Sequence, residues 1–444
     1  MTAPLTCDLP SRRAWPLALA LVLGWLAASS TARAALEIEV TSGVRDPIPI
    51  AVVPFGRASS DQGLDVAEVI QHDLEGSGRF KALPRERLPA APTHAEEVAP
   101  QAWKSAGSDY VVVGRVSSMD GGGFAVDFDL VNTLTGAKLA TQRFTGSGSA
   151  LRNAAHRVSD AVYLKILGVR GAFATRIAYV EVDGTPPAQT YRLYVADADG
   201  ANQQKILESR FPLMSPVWSP DGQYLAYVSF ETKHSAVYVQ QVRTGERRQV
   251  SARAGINGAP DWSPDGKKLA LTLGGTGGNP DIYILDLASQ VLTRVTDDPA
   301  IDTEPVWAPD GRSLYFTSDR AGSPQIYQIG IQSGARPKRI TFGSSYNARP
   351  KVSPDGTLLA MVSLDNGNYR IAVQDLASGN ARVLSHGHLD ESPSFAPNGA
   401  TLIFSERDGG RGELATVSTD GLTGLRLKAS EGEIREPAWG PFIP

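Results

Sequence analysis

Trp218-Ser-Pro-Asp-Gly222 returns as Trp262-Ser-Pro-Asp-Gly266, Trp307-Ala-Pro-Asp-Gly311, Val352-Ser-Pro-Asp-Gly356 and Phe395-Ala-Pro-Asn-Gly399, and a degenerate Trp439-Gly-Pro-Phe442 ends the series. Successive copies lie 44, 45, 45, 43 and 44 residues apart. A four-stranded propeller blade occupies about 40–50 residues, so the period fits a β-propeller. Each unit has one grammar. A strand ends at the aromatic residue and an Asp-Gly turn reverses the chain, with Asp bonding its own turn and Gly supplying positive φ. An apolar strand follows, such as Leu225-Ala-Tyr-Val228 or Leu314-Tyr-Phe-Thr317, then Val237-Tyr-Val239 or Gln325-Ile-Tyr327. The runs are β-branched and aromatic with polar breakers. Upstream, Ile177-Ala-Tyr-Val180, Arg192-Leu-Tyr-Val195 and Lys205-Ile-Leu207 read as three strands of a blade lacking its first, which Glu436-Pro-Ala-Trp439 supplies. The expected architecture is thus a six-bladed propeller closed by the chain end, which removes the free edges that two part-blades would expose.

Residues 35–168 read as a small α/β domain. Leu36–Thr41 alternates as a strand, Pro49–Pro54 and Tyr110–Val116 are apolar strands, and Phe124–Val131 with Lys138–Phe144 form a hairpin. Val66, Val69, Ile70 and Leu74 share one helical face, and Leu151, Ala155, Val158 and Val162 stripe a closing helix. The stretch Pro89–Pro100 reads as a loop. The expected organisation is a signal peptide over 1–34, an α/β domain over 35–168 and a propeller over 169–444.

The compartment follows from the N-terminus. Arg12 and Arg13 precede an apolar run from Trp15 to Ala28, and Ala32-Arg33-Ala34 offers a small-x-small cleavage site. A run this short points to a secretory signal cleaved after Ala34; a retained membrane anchor is the alternative. Cleavage removes Cys7, the only cysteine, so disulfide and thiolate chemistry are excluded from the mature chain. The charge balance of 43 basic against 47 acidic residues, with no basic run, gives no footprint for nucleic acid.

Catalytic signatures are absent: there is no Gly-x-Ser-x-Gly, His-Glu-x-x-His or phosphate loop. The repeated Asp-Gly turns carry one carboxylate each, too few for calcium. His386 and His388 stand alone in a loop, and Asp197-Ala-Asp199-Gly200 reads as another turn. No cofactor or metal is expected. The segments leading into each repeat vary more: Ile256-Asn-Gly-Ala-Pro260, Asp302-Thr-Glu-Pro305, Asn347-Ala-Arg-Pro350, Asp390-Glu-Ser-Pro393 and Arg435-Glu-Pro437. Propeller geometry gathers them around the channel, where they form either a binding mouth or ordinary polar loops before a proline. Leu36, Glu37, Ile38, Glu39, Val40 and Thr41 form the other candidate. This terminal strand, followed by Gly43 and Pro47, suits either addition to a partner's sheet or pairing within its own domain.

Signal, α/β domain with Ser42-Gly-Val44 and Pro49-Ile-Ala-Val-Val-Pro-Phe55, and WSPDG propeller together resemble the TolB family, periplasmic components of the Tol–Pal system of Gram-negative envelopes. The resemblance covers essentially the whole chain after residue 34. It implies a monomeric, non-enzymatic scaffold whose N-terminal strand, residues 36–41, binds TolA. It also implies a mouth, formed by Asn257, Gly258, Ala259, Asp302, Thr303, Glu304, Asn347, Arg349, Asp390, Glu391 and Arg435, that binds the peptidoglycan-associated lipoprotein Pal. Colicins and other outer-membrane proteins are further partners that it implies, and outer-membrane invagination during division and envelope integrity are the implied roles. Ala259 and Thr303 stand where the family places small Pal-contacting residues, while Ile256 replaces a frequent His. Thr41 and Arg45-Asp-Pro47 depart from the family's acidic, glycine-containing pattern. The alternative function is a secreted propeller enzyme, either a polysaccharide lyase or peptidase-like.

Overall fold

The computed structural model describes residues 37–57, 63–119, 121–275, 278–408, 410–428 and 432–443. The expected signal peptide, its cleavage site and Leu36 lie outside them. Among the described residues no helix is long and apolar enough to cross a membrane.

The N-terminal part begins with β1 (Glu37–Ser42), then β2 (Ile48–Val52), β3 (Gly56–Arg57), α1 (Val66–Gly76), β4 (Phe80–Ala82), α2 (Pro100–Ser105), β5 (Tyr110–Met119), β6 (Gly123–Asn132), β7 (Lys138–Ser147) and α3 (Leu151–Leu167). Sheet order is β4-β2-β5-β6-β7, with β2 parallel to β4 and β5, the short β3 also parallel to β5, and β5-β6-β7 antiparallel. The striped faces of α1 and α3 pack on one side, where Ile70, Leu74, Val158 and Val162 meet Ile50, Val112, Val126 and Leu130. Asp65 caps α1 by accepting from the Glu68 amide, and Gly168 ends α3 in the left-handed conformation. The Pro89–Pro100 stretch contains a 3-10 turn at Ala95–Glu97, and its last proline opens α2, a helix the sequence reading missed. Its Trp103 is buried against the other sheet face with Val53, Val111 and Val113, and Pro at the first helical position costs no hydrogen bond.

From Arg176 onward the strands sort into four-stranded antiparallel blades; a single parallel bridge, Tyr369 to Leu389, joins two neighbouring blades into one sheet. Blades 1 to 5 begin with the inner strands Leu213–Trp218, Ile256–Trp262, Asp302–Trp307, Asn347–Val352 and Leu389–Phe395. In blade 6, Glu433–Trp439 is the inner strand and pairs with Arg176–Asp183 near the start of the ring. The repeat explains how neighbouring blades lock. Each motif glycine has positive φ and seats its Cα on the motif proline of the preceding blade: Gly266 on Pro220, Gly311 on Pro264, Gly356 on Pro309, Gly399 on Pro354. Gly222 completes the ring on Pro441, where a β-carbon would sit 3.3 Å from the proline Cγ. Even the degenerate sixth copy therefore keeps the atom the ring needs. Within the turns, Ser219, Ser263 and Ser353 hydroxyls donate to Asp221, Asp265 and Asp355, so these carboxylates close turns.

β1 departs from both expected arrangements. It pairs antiparallel with Gly424–Lys428, the outer strand of blade 5, from Glu37 opposite Lys428 to Ser42 opposite Gly424. It is a fifth strand on a blade already complete with four, and its own domain sheet does not include it. The chain is pinned just beyond, where the Val44 amide donates to the Gly78 carbonyl at 3.1 Å.

Candidate functional site

The variable segments are the first halves of the inner strands, where sequence reading placed loops. All six strands slip register at one point: between Met214 and Val217, Gly258 and Asp261, Thr303 and Val306, Ala348 and Lys351, Glu391 and Ser394, and Arg435 and Ala438. Each slip is a bulge made of one residue with positive φ followed by proline: Ser215, Ala259, Glu304, Arg349, Ser392 and Glu436. Proline fits there because the ladder is already interrupted and no amide is missed. The residue before it bears the strain, about 1 kcal/mol or more for a side-chain-bearing left-handed residue. Six of the ten such residues among those described sit at this one position. They surround a cavity of about 200 Å³ on the channel axis, with Thr303 and Lys351 also in its wall.

Bulge amides are tied to the preceding blade. Those of Glu304, Arg349 and Glu436 donate to the side-chain oxygens of Thr272, Thr317 and Ser405 at 3.0–3.1 Å. The Glu304 carboxylate also accepts from the Arg349 amide at 2.9 Å and the Thr317 hydroxyl at 2.8 Å. Arg349 reaches across the channel. Its guanidinium lies 3.6 Å from Glu304, 4.0 Å from Glu391 and 3.5 Å from Glu436, and it donates to the Ser392 hydroxyl. Burial pulls its pKa down, but Glu436, Glu304 and Glu391 outweigh that and raise it, so the arginine stays charged and holds four blades together.

The sequence-predicted residues divide into two groups. Gly258, Ala259, Thr303, Glu304, Arg349, Glu391 and Arg435 are partly accessible. Asn257, Asp302, Asn347 and Asp390 are buried to 2% exposure or less, which corrects their expected place on the mouth surface. Asn257, Asn347 and Asp390 hold their inner strands to the preceding blade, whereas Asp302 braces its own blade. Asn257 accepts from Ser251 Oγ at 2.6 Å and the Arg253 amide at 2.9 Å, and Asn347 donates to Gln325 at 3.0 Å. Both Asp302 oxygens accept from Arg320, at 2.9 and 2.8 Å. Asp390 accepts from Ser385 Oγ and the Gly387 amide.

Burial outweighs those bonds at Asp390 and pushes its carboxyl up to about 6. An acid whose folded pKa is raised stabilises the fold when protonated, so stability is expected to fall as pH climbs from about 4 to about 6. The loss is on the order of 2 kcal/mol. Urea titrations of wild type and Asp390→Asn at pH 4.5 and 7 check this. The asparagine variant should lose that pH dependence; an unchanged slope would remove Asp390 as its source.

Sequence reading missed a second polar constellation, where α1, α3 and the propeller meet. Asp73, on the apolar stripe of α1, and His156, inside α3, were the available signals. His156 Nδ1 lies 2.8 Å from Asp73 Oδ2, and its Nε2 lies 3.7 Å from Asp199 Oδ2 in a blade 6 turn. These donors have metal-like spacing, but Arg152 already pairs with the Asp199 oxygen. A guanidinium on that oxygen opposes a divalent metal ion there.

Residues 163–443 match the family model described as TolB beta propeller domain, and residues 36–139 match the TolB amino-terminal domain. The chain is 50% identical over 415 residues to a protein of Thioalkalivibrio sulfidiphilus named Tol-Pal system protein TolB, covering 93% of this chain and 95% of that one. It is 47% identical over 435 residues to the protein of that name from Alcanivorax borkumensis, covering 97% and 99%. The crystal structure of TolB from Acinetobacter baumannii superposes with a TM-score of 0.85 at 41% identity, over 92% of this chain and all of that one. With both domain models matched in order and nearly the full length aligned, the chain belongs to the TolB family.

Proposed function

We propose that the chain is a periplasmic scaffold of the Tol–Pal system and not an enzyme, delivered by a signal peptide cleaved after Ala34. Its propeller mouth takes the lipoprotein Pal and β1 takes TolA, which links the inner and outer membranes in division and envelope integrity. The observation that carries this reading is β1. A fifth strand on a complete blade can leave without breaking the blade, and its second edge pairs with no strand among the described residues. Strand addition to TolA uses main-chain bonds, so the departures at Thr41 and Arg45-Asp-Pro47 are tolerated.

The mouth reading draws on which face is free. The N-terminal domain lies against the ends of the blades where the inner strands finish: Arg79 pairs with Asp420, and just after the domain Asn398 donates to the Arg170 carbonyl at 3.0 Å. The inner strands begin roughly 20 Å away, at about 3.3 Å per residue. At that end Ile256, Ile301 and Phe342 are 49%, 46% and 72% exposed. This apolar rim around a polar channel is what a protein partner desolvates.

The test uses the mature protein. Removing residues 37–42 should abolish recovery of TolA from envelope extracts while Pal is still recovered. Adding Pal should change hydrogen-exchange protection of residues 37–42 at least fivefold if mouth and strand are coupled states of one switch. Loss of neither partner on deletion would overturn the strand assignment, and unchanged protection would overturn the coupling.

A further inference from the structure

We propose that Asp73, His156 and Asp199 form a proton-operated latch between the N-terminal domain and the propeller, closed while His156 carries two ring protons, and that the latch governs how firmly β1 is held on blade 5. The inference goes beyond the partner assignments and holds whichever partners β1 and the mouth take.

The geometry argues for it first. His156 is 1% exposed, and each ring nitrogen faces a carboxylate, Asp73 on α1 at 2.8 Å and Asp199 on the propeller at 3.7 Å. A neutral imidazole has one proton, so one nitrogen would turn a lone pair toward a carboxylate oxygen. Only the imidazolium satisfies both sides. As placed, Nε2 has no hydrogen-bond partner although it is buried, and the propeller carboxylate of Asp199 lies 3.7 Å from it. The contact across the domain boundary is therefore the one that the second proton makes or breaks.

The surroundings reinforce the sign. Around His156 stand Asp73 and Ser159, whose hydroxyl donates to Asp73 at 2.6 Å. Arg152 and Asp160 lie on α3 itself, and Asp197 and Asp199 come from the blade 6 turn. Arg170 lies 3.7 Å from Asp160. Burial lowers the His156 pKa, but Asp73, then Asp199 and Asp197, raise it above the ordinary value of 6.5. Burial raises Asp160 to about 7. Below these values, the positive His156, Arg152 and Arg170 balance Asp73, Asp197 and Asp199. As pH rises through them, His156 loses its charge and Asp160 gains one, leaving the boundary with two excess negative charges. Because the folded His156 pKa is raised, its contribution is fully present below about 6.5 and is lost as pH climbs through the folded value.

α1 carries the effect to β1. One turn after Asp73, the Ser77 amide donates to the Asp73 carbonyl at 3.0 Å. Gly78, at positive φ, is packed so tightly that a β-carbon would sit 3.0 Å from Thr423 Cβ and 3.1 Å from the Ser42 carbonyl oxygen. Its own carbonyl holds Val44. A few residues of rigid helix, at about 1.5 Å each, thus separate the latch from the point where β1 is pinned. A cavity of about 100 Å³ lined by Asp73, Ser77, Asp199, Thr423 and Leu425 lies between them, leaving room for relative movement.

The experiment is hydrogen exchange on the full mature chain, without partners, between pH 5.5 and 8.5. Protection factors are read for residues 37–42 and 424–428, and the His156 ring is titrated by NMR in parallel. We expect wild-type protection to fall tenfold or more across that range, with a midpoint matching a His156 pKa above 6.5. His156→Gln, which keeps a donor toward Asp73, should hold protection low and flat. Asp199→Asn, on the propeller turn, keeps an acceptor for the Ala201 amide and should flatten the profile as well. If His156→Gln fails to fold, Asp199→Asn supplies the comparison alone. A His156 titration at or below 6.5, or a variant that retains the wild-type profile, overturns the latch.

Discussion

Thr303→Arg is expected to weaken binding of Pal to the propeller by 100-fold or more while leaving the thermal midpoint nearly unchanged. Thr303 sits in the channel wall immediately before the Glu304 bulge, and its hydroxyl lies 3.3 Å from that of Thr272. It is partly accessible and makes no buried charge contact, so replacing it disturbs the channel and not the blade core. An arginine adds a long cationic side chain to a cavity of about 200 Å³ that Arg349 already crosses. It fills the space a partner segment needs and places a second guanidinium among Glu304, Glu391 and Glu436. A hundredfold loss corresponds to about 2.7 kcal/mol, ordinary for a central interface position. Titration calorimetry with purified Pal, alongside a melting curve, decides the matter. Normal binding by a folded Thr303→Arg protein would show that the mouth is not where Pal docks.

The second large effect concerns a neighbour with the opposite character. Asp302→Ala is expected to destabilise the propeller by about 3 kcal/mol, because it takes both hydrogen-bonded carboxylate oxygens from a locked cation and leaves it with Asp298 at 3.7 Å. Arg320 donates to both Asp302 oxygens, donates to Ser318 Oγ at 2.9 Å and lies over the rings of Phe316 and Tyr327. It cannot swing to water without giving up these contacts. Asp302 itself is fully buried. Glu304→Ala, two residues on, should cost about 1 kcal/mol or less, since it faces the channel and water can replace it. Urea unfolding of the two variants separates them. Equal costs would mean that the buried and channel-facing positions are not distinct in kind.

That contrast marks the limit of legibility. Asp302 and Glu304 are both acidic, lie in one variable segment and precede the same proline, so nothing local separates them. Alternation would place them on one side, since residues two apart in a strand share a face. The bulge breaks that rule: Glu304 itself carries the positive φ, so its side chain lines the channel while Asp302 turns into the blade. The recurring prolines, from Pro260 to Pro437, were visible in the sequence. Their meaning was not, because a proline before an apolar strand ordinarily ends a loop, and only the paired neighbour shows that it sits inside a strand.

What the sequence by itself determined is whatever repeats or alternates. The 43–45-residue period, the Asp-Gly turns and the split blade at the two ends specify a closed propeller, because turn chemistry and strand periodicity are local. Pro441 shows how far this goes, for it keeps the Gly222 contact after the Ser, Asp and Gly of the motif have been lost. The helices α1 and α3 and the α/β sheet were legible for the same reason. What only the tertiary structure decided depends on contacts distant in sequence. The partner of β1 is a strand nearly four hundred residues away, chosen by a blade edge left open to it. His156 is one polar residue in a helix until Asp73 and Asp199 arrive from two other elements to enclose it. Strand pairing and burial of charge are settled by what the finished fold brings together, and no run of neighbouring residues encodes that.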